Sequence, residues 1–226
     1  MRDIIGSALR ALLWASGQEG EASLNGDPAG LNESDGRSAR GERTKRELVE
    51  AYIALLRERR VVPTAAQIAE RAGYSLRTLY MHYSDIATLS EATCDYAIAQ
   101  GLSVPVGDMR AGDRQARIRF QVEVRARNSE RWLPLWRMLL HYQDSVPGLE
   151  RRVRMARTLI YERLQLMYGQ ELATLPDNER RATLLALEAV VDMQSWGRMR
   201  EAHGLSYEEA SQAWITAIDR LLPPTP

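Results

Sequence analysis

The stretch that decides the fold is Thr64–Tyr83, TAAQIAERAGYSLRTLYMHY. Thr64 is followed three positions later by Gln67, a pairing in which a hydroxyl and a side-chain amide each satisfy a backbone N–H at a helix start. The short helix this opens is expected to run to Arg71. Ala72-Gly73-Tyr74 breaks it, with Gly73 supplying the positive φ a tight turn needs at no steric cost. Ser75 then caps a second short helix reaching about His82. Ala69 is small where the two helices must cross closely, and Ile68, Ala72 and Leu79 form the apolar wedge between them. Two short helices joined by a glycine-containing turn make a helix-turn-helix, a unit that lays its second helix in the major groove of DNA.

The spacing leaves Ser75, Leu76, Arg77, Thr78, Tyr80, Met81 and His82 on or near the outer side of the second helix. Their chemistry suits a groove. Arg77 can donate a bidentate pair to guanine or reach a phosphate. Ser75 and Thr78 can bond phosphates or base edges, Leu76 and Met81 can touch thymine methyls, and Tyr80 and His82 can reach phosphates. Thr64, at a helix N-terminus, offers a hydroxyl and backbone N–H groups to a phosphate. Arg43, Thr44, Lys45 and Arg46 begin the preceding helix, close to the expected path of the DNA backbone.

Working outward, Leu48, Tyr52, Leu55 and Leu56 recur at three- and four-residue spacing and predict an amphipathic helix, whose start Thr44 and Glu47 mark as a second capping box. Asp85 caps a further helix towards Gln100. Residues 16–41 are rich in Gly, Ser, Asn, Asp and Glu and predict a disordered linker, preceded by an accessory tail over residues 1–15. Beyond a Gly/Pro-containing stretch, Gly101–Gly112, helical periodicity returns over residues 113–127, 130–143, 149–169, 178–202 and 206–222. Ser206 and Glu209 cap the last of these and Pro223-Pro224 ends it. No segment alternates as a strand does. The expected fold is all-α: an extension (1–41), a three-helix helix-turn-helix domain (42–89) and a C-terminal helical domain (90–226), to which the resemblance described below assigns ligand binding and dimerisation.

Composition narrows the function. The chain has 226 residues and zero formal net charge, so a nucleic-acid site has to be a local basic face. The single cysteine, Cys94, rules out an intrachain disulfide framework and fits a reducing, cytoplasmic setting. The N-terminal apolar run is too short for a transmembrane helix and lacks a cleavage site, so no membrane association is expected. Enzyme chemistry has no foothold: no P-loop, dinucleotide fingerprint or nucleophile elbow is present. His82, His141 and His203 have no metal-ligand spacing, so neither a metal nor a cofactor is expected.

Thr64–Tyr83 and its flanks resemble the TetR family of bacterial transcriptional regulators. The matching residues are Ile68-Ala69, Ala72-Gly73, Ser75, Thr78-Leu79-Tyr80, His82-Tyr83, Asp85 and Leu89, within a span from Arg43 to Leu89. The chain departs from the family pattern at Arg77, where glycine is common, and at Ile86, where a phosphate-binding lysine usually stands. The resemblance implies a repressor that binds a palindromic double-stranded operator as a homodimer and is released by a small apolar or aromatic effector. It implies an effector pocket in the C-terminal helices, for which Phe120, Trp136, Tyr142, Met155, Leu159 and Met193 are the candidates. Arg119, Arg125 or Arg127 could meet an anionic group there, although solvation is the ordinary role of such arginines. The last two long helices would pair with their twins, with Ala189, Trp196, Ala210, Trp214 and Ile218 as interface candidates. The alternative is a helical dimeric interaction module whose degenerate DNA reader is controlled by a protein partner.

Overall fold

The computed structural model describes residues 31–59, 61–102 and 112–225. The proposed tail and the first part of the proposed linker lie outside these residues. The described residues are helical, with no strand among them, and no described helix is long and apolar enough to cross a membrane. Contacts divide the chain into two units, Met1–Gln100 and Gly101–Pro226.

The first unit contains α1 (Leu31–Arg59), α2 (Ala65–Ala72), α3 (Leu76–His82) and α4 (Ile86–Leu102). Helix α1 begins well ahead of the expected start at Thr44, so residues 31–41, read from composition as disordered linker, are helical. Thr44 is no N-cap; its hydroxyl donates to the Arg40 carbonyl one turn earlier, at 3.0 Å. Once a helix is nucleated, each added residue gains a hydrogen bond without a new nucleation cost, and Gly36 and Gly41 cost only about 1 kcal/mol each. The apolar face of α1 buries Leu48, Val49, Tyr52, Ile53, Leu55 and Leu56. Helix α4 runs through the boundary expected at residue 89. Its residues belong with α1, because the Tyr52 hydroxyl meets Ser90 Oγ at 2.9 Å and Tyr96 donates to Glu50 at 3.4 Å.

The second unit contains α5 (Arg114–Tyr142), α6 (Pro147–Met167), a single turn α7 (Gly169–Leu172), α8 (Asp177–Val190), α9 (Met193–Gly197) continuing as a π turn (Arg198–Ala202), and α10 (Tyr207–Leu221). The sequence suggested a break near Asn128-Ser129, but α5 is one helix of 29 residues capped by Asp113. Ser129 is fully buried in mid-helix rather than capping a new one. Pro134 is tolerated inside α5, at a cost of about 3 kcal/mol, because Trp132, Leu133, Leu135 and Trp136 around it are buried. Conversely, the single helix expected over 178–202 is broken at Val191-Asp192. Asp192 accepts from the Gln194 amide at 2.7 Å and starts α9, while Arg125 takes the freed Val191 carbonyl at 2.6 Å.

Trp196, Trp214 and Ile218, with Ile118, Val122, Leu164, Leu184 and Leu187, are among the residues forming the core of this unit. The Trp196 and Trp214 rings lie 4.8 Å apart, and Trp196 Nε1 donates to Glu130 at 3.0 Å. Two further clasps close the C-terminal end. Arg114 donates to Asp219 Oδ1 and to the Asp219 and Leu222 carbonyls at 2.5, 2.6 and 2.9 Å. Buried Glu171 pairs with Arg117 and also accepts from Thr225 Oγ1 at 2.6 Å.

Candidate nucleic-acid interface

Helices α2 and α3 are built as the sequence implies. Thr64 Oγ1 accepts from the Gln67 amide at 3.3 Å while Gln67 accepts from the Thr64 amide at 3.0 Å. Gly73 sits at φ +76, and the amides that follow α2 return to it, Gly73 to Glu70 at 3.1 Å and Tyr74 to Ala69 at 2.8 Å. Ser75 Oγ accepts from the Thr78 amide at 3.0 Å and meets Thr78 Oγ1 at 2.8 Å. Ile68, Ala69 and Leu79 are buried, and Ala72 is half-buried.

Leu79 is the one fully buried residue of α3. The rest of that helix faces outward: Met81 is 74% exposed, Tyr80 48% and Leu76 44%, with Arg77 and Ser75 exposed beside them. Thr78 and His82 are half-buried. This is a short rod of mixed arginine, hydroxyl, aromatic and apolar chemistry standing clear of its own domain.

The Arg43–Arg46 stretch of α1 is less open than its sequence suggests. Lys45 Nζ holds Glu42 at 2.8 Å and Arg43 Nε holds Glu47 at 2.8 Å, whereas Arg46 is exposed. Exposed pairs of this kind are worth about 0–1 kcal/mol, so a phosphate can displace them. Thr44 is half-buried and engaged with Arg40, with its Oγ1 3.5 Å from the Tyr74 hydroxyl. Of the candidate DNA contacts, Thr44 is therefore the least available. Thr64 stays exposed, and its hydroxyl, already an acceptor, keeps its proton to donate. Ile86 is half-buried, and its carbonyl accepts from Ser90 Oγ at 2.8 Å.

Three bracing contacts escaped sequence reasoning. Tyr74 donates to Glu47 and ties the turn to α1. That bond, followed by the one from Arg43, holds the Glu47 carboxyl below its ordinary range. Arg71 clamps Glu58 through two bonds of 2.7 and 2.5 Å, which likewise holds that carboxyl low. Tyr83 is buried, with its hydroxyl on the Lys45 carbonyl at 3.3 Å; burial first, and the Glu42 charge second, push it up to about 12. The sequence marked the aromatic at Tyr83 and the residue after Gly73, but nothing in a linear pattern names partners 27 to 38 positions away.

The residues suggested for an effector differ in burial. Trp136 and Leu159 are buried, Phe120, Met155 and Met193 are half-buried, and Tyr142 is 39% exposed. Tyr142 stacks edge-on against His141 at 4.6 Å, and Phe120 packs on the main core. Four of the five interface candidates, Trp196, Ala210, Trp214 and Ile218, are at most 2% exposed inside their own chain. These four face inward because this unit needs them for its core. Ala189 is exposed, as is Leu185 one turn before it. The outward side of α10 presents a shallow patch lined by Gln212, Ala213, Thr216 and Arg220.

No protein-family model and no curated protein sequence matches the chain. Solved structures do. A transcriptional regulator from Rhodococcus sp. Rha1 superposes with a TM-score of 0.66 at 16% identity, over 80% of this chain and 99% of that one. A protein from Mesorhizobium loti assigned to the TetR family of transcriptional regulators gives 0.60 at 17% identity, over 80% and 96%. NalD, the secondary repressor of the MexAB-OprM multidrug efflux pump in Pseudomonas aeruginosa, gives 0.52 at 15% identity, over 81% and 98%. An N-terminal helix-turn-helix followed by a helical body is common ground, and the chain has the fold of the TetR-family regulators.

Proposed function

We propose that this protein is a sequence-specific, DNA-binding transcriptional regulator, a homodimeric repressor released from a palindromic operator by a small molecule. One observation carries the reading. Helix α3 keeps Leu79 as its only buried side chain and turns Arg77, Tyr80, Leu76 and Met81 outward on a frame braced by Tyr74, Arg71 and Tyr83. A braced, exposed helix with one arginine among hydroxyl and apolar groups is what direct readout in a major groove requires. The exposed Arg46 and the Thr64 hydroxyl flank it as phosphate contacts.

Two copies are needed for affinity, since one half-site reader binds weakly. Pairing is supported by exposed residues on α8, Leu185 and Ala189, and on α10, Ala213 and Thr216, where alanines and a threonine allow close approach. A two-fold dimer puts its recognition helices about 34–36 Å apart, one turn of DNA. Repression is supported by the likeness to NalD, itself a repressor. Release follows if the effector favours a dimer geometry whose helices no longer match successive grooves.

The test is binding of the purified protein to DNA from upstream of its own reading frame, beside the Arg77→Ala, Tyr80→Ala double variant. Selective binding lost in the variant is expected. Equal binding by the variant sinks the assignment of α3 as reader. The exposed Leu76 and Met81 also suit a protein partner, and salt decides between the two: affinity for DNA must fall steeply as salt rises.

A further inference from the structure

Of the three arginines in the middle of α5, Arg119 and Arg127 are exposed, and Arg127 pairs with Glu123 at 2.8 Å. Arg125 is different: it is 8% exposed and forms no ion pair among the described residues. Its Nη2 donates to the Val191 carbonyl at 2.6 Å, at the electronegative end of α8. Its Nε is buried without a hydrogen-bond partner. Burial lowers its pKa to about 10; the charges of Asp192 and Glu188 work against this, and that of Arg163 adds to it. The Asp192 Oδ1 accepts from the Gln194 amide at 2.7 Å.

One turn along α5, the Ser129 hydroxyl is buried and has no partner, and two turns further the indole N–H of Trp136 is in the same state. Positions 125, 129, 132 and 136 fall within about 60° of arc on one helix, and so form a single stripe. The stripe faces α6: Arg157 lies 6.0 Å from the Trp136 ring, and Arg163 is near enough to Arg125 to oppose its charge. Leu159 of α6 is buried as well.

Buried polar groups in native proteins almost always have partners. Here three orphan groups line one stripe, two of them donors only and the third able to donate. The complement to such a row is an acceptor, and a cation at one end asks for an anionic one.

We propose that the stripe of Arg125, Ser129 and Trp136 is the acceptor-binding wall of the effector site, and that the effector is a carboxylate on an apolar body. The carboxylate seats on Arg125 and Ser129. Seven residues of helix, about 10 Å, separate Ser129 from Trp136, so a medium-length ligand with a second oxygen at its far end reaches the indole N–H. This inference rests on the effector part of the reading above and gives it a chemical class.

The test uses full-length protein, octanoate, 8-hydroxyoctanoate and the two matching primary amides, with thermal melting and tryptophan fluorescence as readouts. Both carboxylates are expected to raise the melting temperature and the amides to leave it unchanged. Ser129→Ala, which removes only an unpartnered hydroxyl, is expected to keep the fold and weaken both carboxylates about tenfold, the worth of one charge-assisted hydrogen bond. Trp136→Phe is expected to erase the advantage of the hydroxyl-bearing probe over octanoate. No response to either carboxylate, an equal response to the amides, or wild-type affinity in both variants overturns the inference. DNA binding measured in the same samples separates the two readings. A protein that binds its operator but ignores carboxylates remains a regulator without this effector class, and one that binds carboxylates but no DNA keeps the site and loses the regulator.

Discussion

The Tyr74 hydroxyl donates to the carboxylate of Glu47, joining the residue that follows the turn glycine to the helix that precedes the reader. This bond, with Arg43 on the same carboxylate, sets the angle at which α3 leaves the domain without using any atom of its outer face. Tyr74→Phe is therefore expected to lower the melting temperature while leaving the exposed side chains of α3 unaltered. The effect carries a pH signature. Glu47 is held below the ordinary 4.5, so its contribution is fully present above that value and is lost as pH falls through the lower, folded-state value. The gap in melting temperature between wild type and Tyr74→Phe should narrow on acidification below about pH 4.5; a gap independent of pH would show that the hydroxyl acts through packing alone.

Arg77 and Arg46 are both exposed but are expected to fail differently. Arg77→Ala should cost about 1–3 kcal/mol of operator binding and relax preference at one base position. Arg46→Ala should weaken operator and unrelated DNA alike and reduce the slope of affinity against salt by about one. Neither should change the unfolding midpoint by more than about 0.5 kcal/mol. Fluorescence anisotropy across a salt series, with melting curves as control, checks both.

Gly73 isolates a backbone effect. A Cβ there meets nothing within 4 Å, so only the φ of +76 penalises a side chain. Gly73→Ala should destabilise by about 1–2 kcal/mol in urea unfolding, and Gly73→Asn by clearly less, since asparagine tolerates the left-handed region. Equal losses for both would point to a steric clash that the geometry does not contain.

The ion pair between Arg117 and Glu171 is buried on both sides, at 7% and 0% side-chain exposure. Glu171→Gln leaves a buried guanidinium uncompensated and is expected to cost about 3–5 kcal/mol by chemical denaturation. Arg117→Met combined with Glu171→Leu should recover most of that loss. A double variant no better than the single one would mean that the Thr225 contact to Glu171, not the charge pair, holds this corner together.

Oligomeric state separates the two sides of the last helices. Ala213→Glu or Leu185→Glu is expected to yield monomers in sedimentation with little change in helicity. Trp214→Phe is expected to lower stability without changing mass, because its ring meets Trp196 within one chain.

The reader unit was largely legible because its signals are local. The capping box at Thr64, the turn at Gly73 and the cap at Ser75 each act over three or four residues, and all three form as read. Local signals misled where tertiary packing overrode them. Thr44 and Glu47 have the spacing of a capping box, yet Thr44 bonds back to Arg40 and Glu47 reaches Tyr74. Asn128-Ser129 has the look of a helix start but lies inside α5, and an apolar stripe alone does not reveal whether its partner is the same chain or another. Trp196 and Trp214 spend theirs at home. Burial separated Arg125 from Arg119 and Arg127, which no periodicity could have done.

Lys45 carries the only side-chain amine in the sequence, half-exposed on Glu42 at the foot of the reader, while the only thiol, Cys94, is buried. Amine-reactive chemistry at a side chain is thus confined to the edge of the proposed DNA footprint, and thiol chemistry is silent in the native fold. A fluorophore placed through Lys45 would turn the molecule into its own occupancy gauge, dimming or protected when the proposed operator is bound and exposed again on release by the proposed effector.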